Sequence, residues 1–419
     1  MSGLQAKTFS WSSVGFLLLV NLVAASFFFS PGTGDVGTWE IWMREISSYG
    51  VIGGFAHSGT DYPPLSFIFL AGISRSAVAL EVSQLFILKC SLLLFLFATA
   101  ACFYWFTRNL VLSAGLELAL VLNSIALGYL DIWFAPFLIA GLFLLGRRKL
   151  VSGLLFYAIS CSIKWQPLII APFVCLYVLT ASNAPLGRER IKRSLAPFAV
   201  SALVLVIPMI AVFSAPALFD SFRRATTFHK FLSGYALNLN WIETWALHLL
   251  QPEKYGGLQN GGIDFVIIRD PLVVWPDKIL FYLSYAAVLF AFARQAKTFQ
   301  RLIVYSMLGY LAYFSFNTGV HENHLFLICC LAWILVFLEA SQLIRCVNFS
   351  IAANANLFLF YGVFGQRVNP VIAGLDITLL FALANLCLFG GFLLHTFKAD
   401  NVELKFWESQ KPQPLEAAH

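Results

Sequence analysis

The chain has 419 residues, of which 59% are hydrophobic and 11% are charged, and its mean hydropathy is +0.79. Soluble domains carry roughly 25% charged residues, so this composition excludes a soluble globule, a disordered chain and a nucleic-acid-binding module. A net charge of +6 is typical of membrane proteins with Lys and Arg on cytoplasmic loops. The eight Cys lack metal-site spacing. We therefore predict an all-α polytopic membrane protein that needs no metal or other cofactor.

Long apolar runs predict the membrane spans, since about 20 apolar residues form a helix that crosses a bilayer. We count twelve runs, near 12–30, 85–106, 110–128, 131–146, 150–163, 165–181, 195–214, 278–293, 302–317, 323–340, 350–366 and 371–396. A further segment, 63–80, begins with Pro63-Pro64 and carries Arg75. If it does not cross, the basic clusters fall on the inner side, as the positive-inside rule requires. We therefore interpret 63–80 as a juxtamembrane or re-entrant segment at the outer surface.

This topology divides the chain into four parts. They are an N-terminal module over 1–214 that contains a first outer segment (31–84), a second outer segment over 215–277, C-terminal transmembrane helices over 278–397, and a cytoplasmic tail over 398–419. Short outer turns are expected at 128–131, around 164, at 318–322 and at 367–370. Because loop residues are concentrated on the outer side, we expect the function there.

The first outer segment carries two carboxylates. Asp35 follows the first span in a glycine-rich stretch, where partial desolvation would raise its pKa and make it a general base. The alternative is an N-cap for a helix beginning at Trp39. Asp61 precedes Tyr62 and two prolines, so it either binds a ligand or caps the helix that the prolines begin.

The turn near residue 320 carries His321, Glu322 and His324 where the chain should only turn back into lipid. Ionisable groups at membrane depth are costly and are functional by default. A histidine that hydrogen-bonds an anion, oriented by Glu322, explains the pattern. A zinc site is the second interpretation, although the sequence supplies neither an HExxH motif nor a third His or Cys ligand.

Three further charged positions lie next to predicted spans. Lys164 falls at the outer junction of two short spans, and Arg223-Arg224 follow the seventh span. These basic side chains either extend to the lipid headgroups or contact a phosphate. Asp131 ends the short turn over 128–131 and is expected to cap a span.

Aromatic side chains are frequent in the outer segments. An interfacial aromatic belt accounts for them, and stacking on sugar rings is the alternative. The residues concerned are Trp39, Trp42, Tyr49, Tyr62, Trp241, Trp245, Tyr255 and Trp275.

Four motifs in order along the chain resemble those of the GT-C glycosyltransferases. They are Asp35 followed by Trp39, the DYPPL segment Asp61–Leu65, Lys164–Pro167, and Val320–Glu322. The resemblance covers about residues 12–340, and it is closest to the dolichyl-phosphate-glucose-dependent glucosyltransferases and the bacterial GPI-mannosyltransferase-like relatives. The sequence departs from that pattern after Val-His-Glu, where the family usually has Lys and this chain has Asn323.

The resemblance implies a GT-C fold of about twelve transmembrane helices with an outer juxtamembrane helical segment. It implies a polyprenyl-phosphate-linked hexose donor, a glycan or glycolipid acceptor, and transfer with inversion on the outer face. The compact loops and the short chain indicate a bacterial inner membrane with the active site facing the periplasm, with an endoplasmic-reticulum membrane as the alternative. Asp35 would be the base and His321 would contact the donor phosphate. Lys164 and Arg223, from their positions next to the spans, are the further candidates for phosphate contact. Substrate contacts would come from Trp39, Asp61, Tyr62 and Glu322.

The residues agree with that chemistry. An inverting transfer needs one base, and a phosphate leaving group needs no general acid but does need fixed hydrogen-bond donors. A flippase or transporter of a lipid-linked sugar is the alternative function. Transporters often show paired half-chain repeats and helices broken at matching places, and we find no such symmetry in this sequence.

Overall fold

A computed structural model describes residues 10–180, 188–227, 230–268 and 270–401, with the backbone alone described over 188–194. It is an all-α membrane protein. Most of the predicted tail, 402–419, lies outside the described residues, as do the side chains of the basic cluster at 188–193. Residues 398 and 399 belong to the last helix instead.

The first half of the chain forms eight of the described α-helices. These are α1 (Trp11–Ala24), α2 (Gly34–His57), α3 (Pro64–Ala79), α4 (Gln84–Thr107), α5 (Leu110–Val121), α6 (Ala135–Gly146), α7 (Leu150–Ile163) and α8 (Ala171–Thr180). Side-chain caps fix two starts, since Ser83 and Asn109 accept hydrogen bonds from the backbone of α4 and α5. Helix α2 is broken at Gly50, whose φ of 71° is a left-handed conformation that glycine adopts readily.

The second half forms the remaining described helices and four short strands. The helices are α9 (Arg188–Ser201), α10 (Ile207–Phe213), α11 (Ala215–Thr227), α12 (Leu239–Leu250), α13 (Pro252–Tyr255), α14 (Pro271–Arg294), α15 (Phe299–Phe316), α16 (Phe326–Leu338), α17 (Leu343–Tyr361) and α18 (Thr378–Ala399). Strand β1 (Ser233–Gly234) pairs in parallel with β2 (Val320–His321), and β3 (Val371–Ile372) pairs antiparallel with β4 (Leu375–Asp376).

Several helices have the length and apolar composition of membrane spans. Five are long enough to cross: Gln84–Thr107, Leu195–Phe213, Pro271–Arg294, Ala340–Tyr361 and Thr378–Ala399. Shorter apolar helices cover Trp11–Phe27, Pro64–Ala79, Leu110–Ala126, Leu130–Gly146, Leu150–Ile163, Gln166–Thr180 and Glu322–Leu338. The ambiguous segment at 63–80 is thus a short apolar helix, α3.

Helix α16 lies at the centre of the bundle and fixes the position of the turn before it. Every residue from Phe326 to Val336 is buried, as expected for a helix that is apolar on all sides. The predicted outer segments and turns meet at the end of the bundle where α16 begins. At that end the Thr33 N–H donates to the Leu127 carbonyl at 2.9 Å, and the Gly319 N–H donates to the Leu232 carbonyl at 2.8 Å.

Candidate functional site

Asp35 lies in the first turn of α2, beside residues from three other parts of the chain. The helix begins at Gly34 after the N-cap Thr33, so the interpretation of Asp35 as an N-cap is wrong. A first-turn position faces the positive end of the helix dipole, which stabilises a carboxylate. As a whole residue, Asp35 is partly exposed.

The surroundings of Asp35 raise its pKa from an ordinary 3.8 to about 6. Burial is the largest cause, and the negative charge of Glu322 adds to it. The positive charges of His321 and Lys164 act in the opposite direction. A carboxylate with this pKa is ionised at neutral pH and still accepts a proton readily, which is the property of a general base.

His321 is held beside Glu322 by the β1–β2 pairing, in which Gly234 is its register partner. Its Nδ1 lies 3.8 Å from Glu322 Oε2, and its side chain is 30% exposed. Burial by itself lowers the pKa of His321, but the hydrogen bond and charge of Glu322 and the charge of Asp35 together raise it. The imidazole therefore carries its proton more readily than usual, which suits contact with an anion.

Glu322 is buried and has two fixed partners. Its carboxylate accepts a hydrogen bond from the Tyr129 hydroxyl, and its backbone carbonyl accepts one from Asn356 Nδ2 at 2.9 Å. Tyr129 belongs to the short turn after α5, so this bond joins two of the predicted outer turns. Glu322 therefore orients His321 from a buried position and is not open to a ligand.

His324 lies beside His321, with the ring centroids 5.6 Å apart. Its Nδ1 lies 3.0 Å from the Tyr313 hydroxyl on α15. Across the described ranges, no group of three or more His, Cys, Asp or Glu side chains is arranged to hold a metal ion. The zinc interpretation therefore gains no third ligand from the part of the chain that the structure describes.

Lys164 and Asp131 form a buried ion pair beneath the site. Asp131 is 0% exposed and also accepts hydrogen bonds from Asn323 Nδ2 at 2.9 Å and Asn123 Nδ2 at 3.4 Å. Lys164 is 6% exposed, and its ammonium group lies 5.1 Å from the centre of the Tyr62 ring. The prediction that Lys164 extends to the headgroups is therefore wrong. Its ammonium group, a candidate for phosphate contact, is paired with Asp131. Asp131 itself is an ion-pair partner, not only the end of a span.

The DYPPL segment is fixed by Tyr62. The Tyr62 carbonyl accepts a hydrogen bond from Ser221 Oγ at 2.6 Å, which attaches helix α11 to the first outer segment. Pro63 is the N-cap residue of α3 and no side chain caps that helix, so the capping role considered for Asp61 is wrong. Asp61 is partly exposed, and its charge raises the pKa of both Asp35 and His321.

Trp39 packs inside the protein. Its side chain is 2% exposed, and its ring lies against Trp42 and Tyr62 with centroid distances of 4.9 and 5.2 Å. Its Nε1 donates to the Gly128 carbonyl at 3.1 Å. Both the face and the N–H of Trp39 are used within the protein, and its contact with substrate stays a prediction.

Arg223 points away from the site. It pairs with Asp220 at 3.2 Å on the surface of α11, where both side chains are more than half exposed. Its neighbour Arg224 instead lies against the first outer segment, since a Cβ at Gly59 would come within 2.9 Å of Arg224 Nη1. Consecutive helical residues point about 100° apart, so the two arginines leave α11 in different directions.

Sequence reasoning missed several residues that build the site. Tyr129, Asn323 and Asn356 each join two segments that are distant along the chain. Asn356 also accepts from the Leu237 N–H at 2.8 Å and donates to the Tyr235 carbonyl at 3.2 Å. An amide side chain within the apolar run of α17 was the available signal, because a polar group inside a membrane helix needs partners.

These observations define an all-α membrane protein with a polar site at one end of its helical bundle. Asp35, Asp61 and His321 are its partly exposed ionisable groups, and Glu322 and the Lys164–Asp131 pair lie buried behind them. No protein-family model matches this chain, and no curated protein matches it.

Proposed function

We propose that this protein is an inverting hexosyltransferase with a GT-C-like arrangement of twelve membrane spans. Its donor is a polyprenyl-phosphate hexose, and its acceptor is a glycan or glycolipid at the periplasmic face of a bacterial inner membrane. The observation that carries the proposal is Asp35, a partly exposed carboxylate whose pKa is raised to about 6 and which shares one site with His321. The resemblance of the motifs around both residues names the reaction class.

In this reaction Asp35 takes the proton of the acceptor hydroxyl while that oxygen attacks the anomeric carbon of the donor sugar. The bond between the anomeric carbon and the phosphate oxygen breaks, and the lipid phosphate leaves with the electron pair. Attack opposite the leaving group inverts the anomeric configuration. The leaving phosphate is a weak base, so it needs positive charge and hydrogen-bond donors more than it needs a proton.

Protonated His321 supplies such a donor, and Glu322 keeps it oriented and positively charged. Lys164 has a different part, because its ammonium group is bound to Asp131 and buried. Its positive charge lowers the pKa of Asp35, against the larger effect of burial. We therefore assign Lys164 and Asp131 to positioning and to electrostatics, with His321 as the phosphate contact.

The test uses the purified full chain in detergent with a panel of polyprenyl-phosphate hexoses and a lipid-glycan extract of the source cells. Wild type should consume one donor and add one hexose mass to an acceptor. Asp35→Asn should lower the rate by about 10²–10⁴-fold, the usual contribution of a general base, with donor binding retained. Asp220→Asn is the matched control, because this carboxylate belongs to the exposed pair on α11.

Equal rates for Asp35→Asn and wild type would reject Asp35 as the base. Turnover of no donor by wild type would reject the transferase, and movement of a lipid-linked sugar across vesicles without transfer would indicate a flippase.

A further inference from the structure

The loop 362–370, which follows α17, is attached to the chain just before Asp35. We call this loop the strap. Ser30 Oγ donates to the Val363 carbonyl at 3.2 Å. Gly365 lies directly against the backbone of Gly32, where a Cβ at position 365 would come within 1.9 Å of the Gly32 carbonyl oxygen. Only glycine allows such a close approach of two backbones, so the strap fixes the segment from which α2 and Asp35 start.

The other side of the strap is attached to the second outer segment through Arg367. The guanidinium of Arg367 contacts Asp264 with two nitrogens, Nη2 to Oδ1 at 2.9 Å and Nη1 to Oδ2 at 3.5 Å. The Tyr235 hydroxyl donates to the same Asp264 Oδ1 at 2.8 Å. The guanidinium carbon also lies 5.5 Å from the centre of the Tyr235 ring. Two-nitrogen contact with a carboxylate and stacking on a ring are both specific to arginine.

Tyr235 connects the Arg367–Asp264 contact to the turn that carries His321 and Glu322. It follows β1 directly and forms an isolated β-bridge with His321. Asn356 donates to the backbone carbonyls of both Tyr235 and Glu322, at 3.2 and 2.9 Å. The strap is therefore linked to Asp35 on one side and, through Arg367, Asp264 and Tyr235, to His321 on the other.

We propose that Arg367 and Asp264 are positioning residues that set the placement of His321 relative to Asp35. The effect of this pair on catalysis rests on the proposed function, whereas its effect on the placement of His321 does not. Arg367 is 56% exposed and Asp264 is 21% exposed, and ion pairs at such sites contribute little to global stability. Loss of the pair should therefore loosen the strap and the His321 turn locally and leave the bundle folded.

The experiment measures hydrogen exchange and sugar transfer on the purified full chain for wild type, Arg367→Met, Arg367→Lys and Asp264→Asn. Lys254→Met is the matched control, because Lys254 forms an exposed ion pair with Asp270 at 3.7 Å in the same outer segment. Arg367→Met should speed exchange about tenfold in peptides covering 319–323 and 362–370, with no change for the control. Asp264→Asn should speed exchange in the same peptides. The exchange rate in Arg367→Lys should lie between those of wild type and Arg367→Met, because lysine keeps the charge without the two-nitrogen contact.

The transfer rate should follow the exchange result. We expect kcat to fall about 10–100-fold in Arg367→Met with KM for the donor changed less, since displacement of a reacting group by about 1 Å has an effect of that size. Unchanged exchange at 319–323 in Arg367→Met, even with a loosened strap, would overturn the proposal. If wild type transfers no sugar, the exchange data still decide the placement of His321, and only the proposed function fails.

Discussion

Two groups of charges at the same end of the bundle differ in how deeply the protein buries them. The Lys164–Asp131 pair is buried, and Asp131 has three hydrogen-bond partners on three separate segments. Asp35 and His321 are partly exposed, and the charge of each shifts the pKa of the other. The comparison indicates that the buried pair holds segments together, whereas the proposed function assigns substrate contact to the partly exposed groups.

Asp131→Ala should break the buried pair and has the largest expected effect on stability. Removal of one partner leaves the Lys164 charge buried without compensation, which typically costs about 3–5 kcal/mol. We expect a large loss of folded protein in detergent, measured by thermal unfolding and by the yield of monodisperse material. Arg223→Met is the control, because it breaks an exposed pair on α11. Equal stability of the two variants would contradict the distinction between the buried and the exposed charges.

Asp35→Asn should stabilise the folded chain, and this effect should be smaller than the destabilisation by Asp131→Ala. The pKa of Asp35 is raised from 3.8 to about 6 in the folded chain, so ionisation of this carboxyl destabilises the folded state as the pH rises through that interval. Asparagine removes that destabilisation. At pH 7.5 the apparent Tm of the variant should exceed that of wild type by roughly 2–4 °C, and the difference should vanish near pH 4. A lower Tm at pH 7.5 would show that the carboxylate stabilises the fold.

The sequence predicted the members of the site better than their individual roles. Asp35, Asp61, Lys164 and His321 were expected at the outer end of the spans, because apolar runs and basic loops assign each turn to a side of the membrane. The structure brings all four into one electrostatic neighbourhood. The partner of Lys164 could not be predicted, because Asp131 comes from another turn and the pairing depends on how α6 and α7 pack.

Some predicted roles of individual side chains depended on the exact residue at which a helix begins. Asp35 was considered a cap because a helix was expected from Trp39, but α2 begins at Gly34. The sequence could not show which of Arg223 and Arg224 lies against the first outer segment, because this depends on the orientation of α11 about its axis. Arg367 and Asp264 lie in regions without a recognised motif, and their contact joins positions more than one hundred residues apart.

The pH dependence of sugar transfer tests the central claim most directly, because it reports both exposed groups in the working protein. In the proposed mechanism Asp35 must be ionised to accept a proton, so kcat/KM should rise with pH and level off above about pH 6. His321 must be protonated to bind phosphate, and its pKa is raised above the ordinary 6.5, so the rate should fall again at higher pH. His321→Gln should lose the upper limb and keep the lower one. A profile in wild type that is flat from pH 5 to pH 8 would contradict the account.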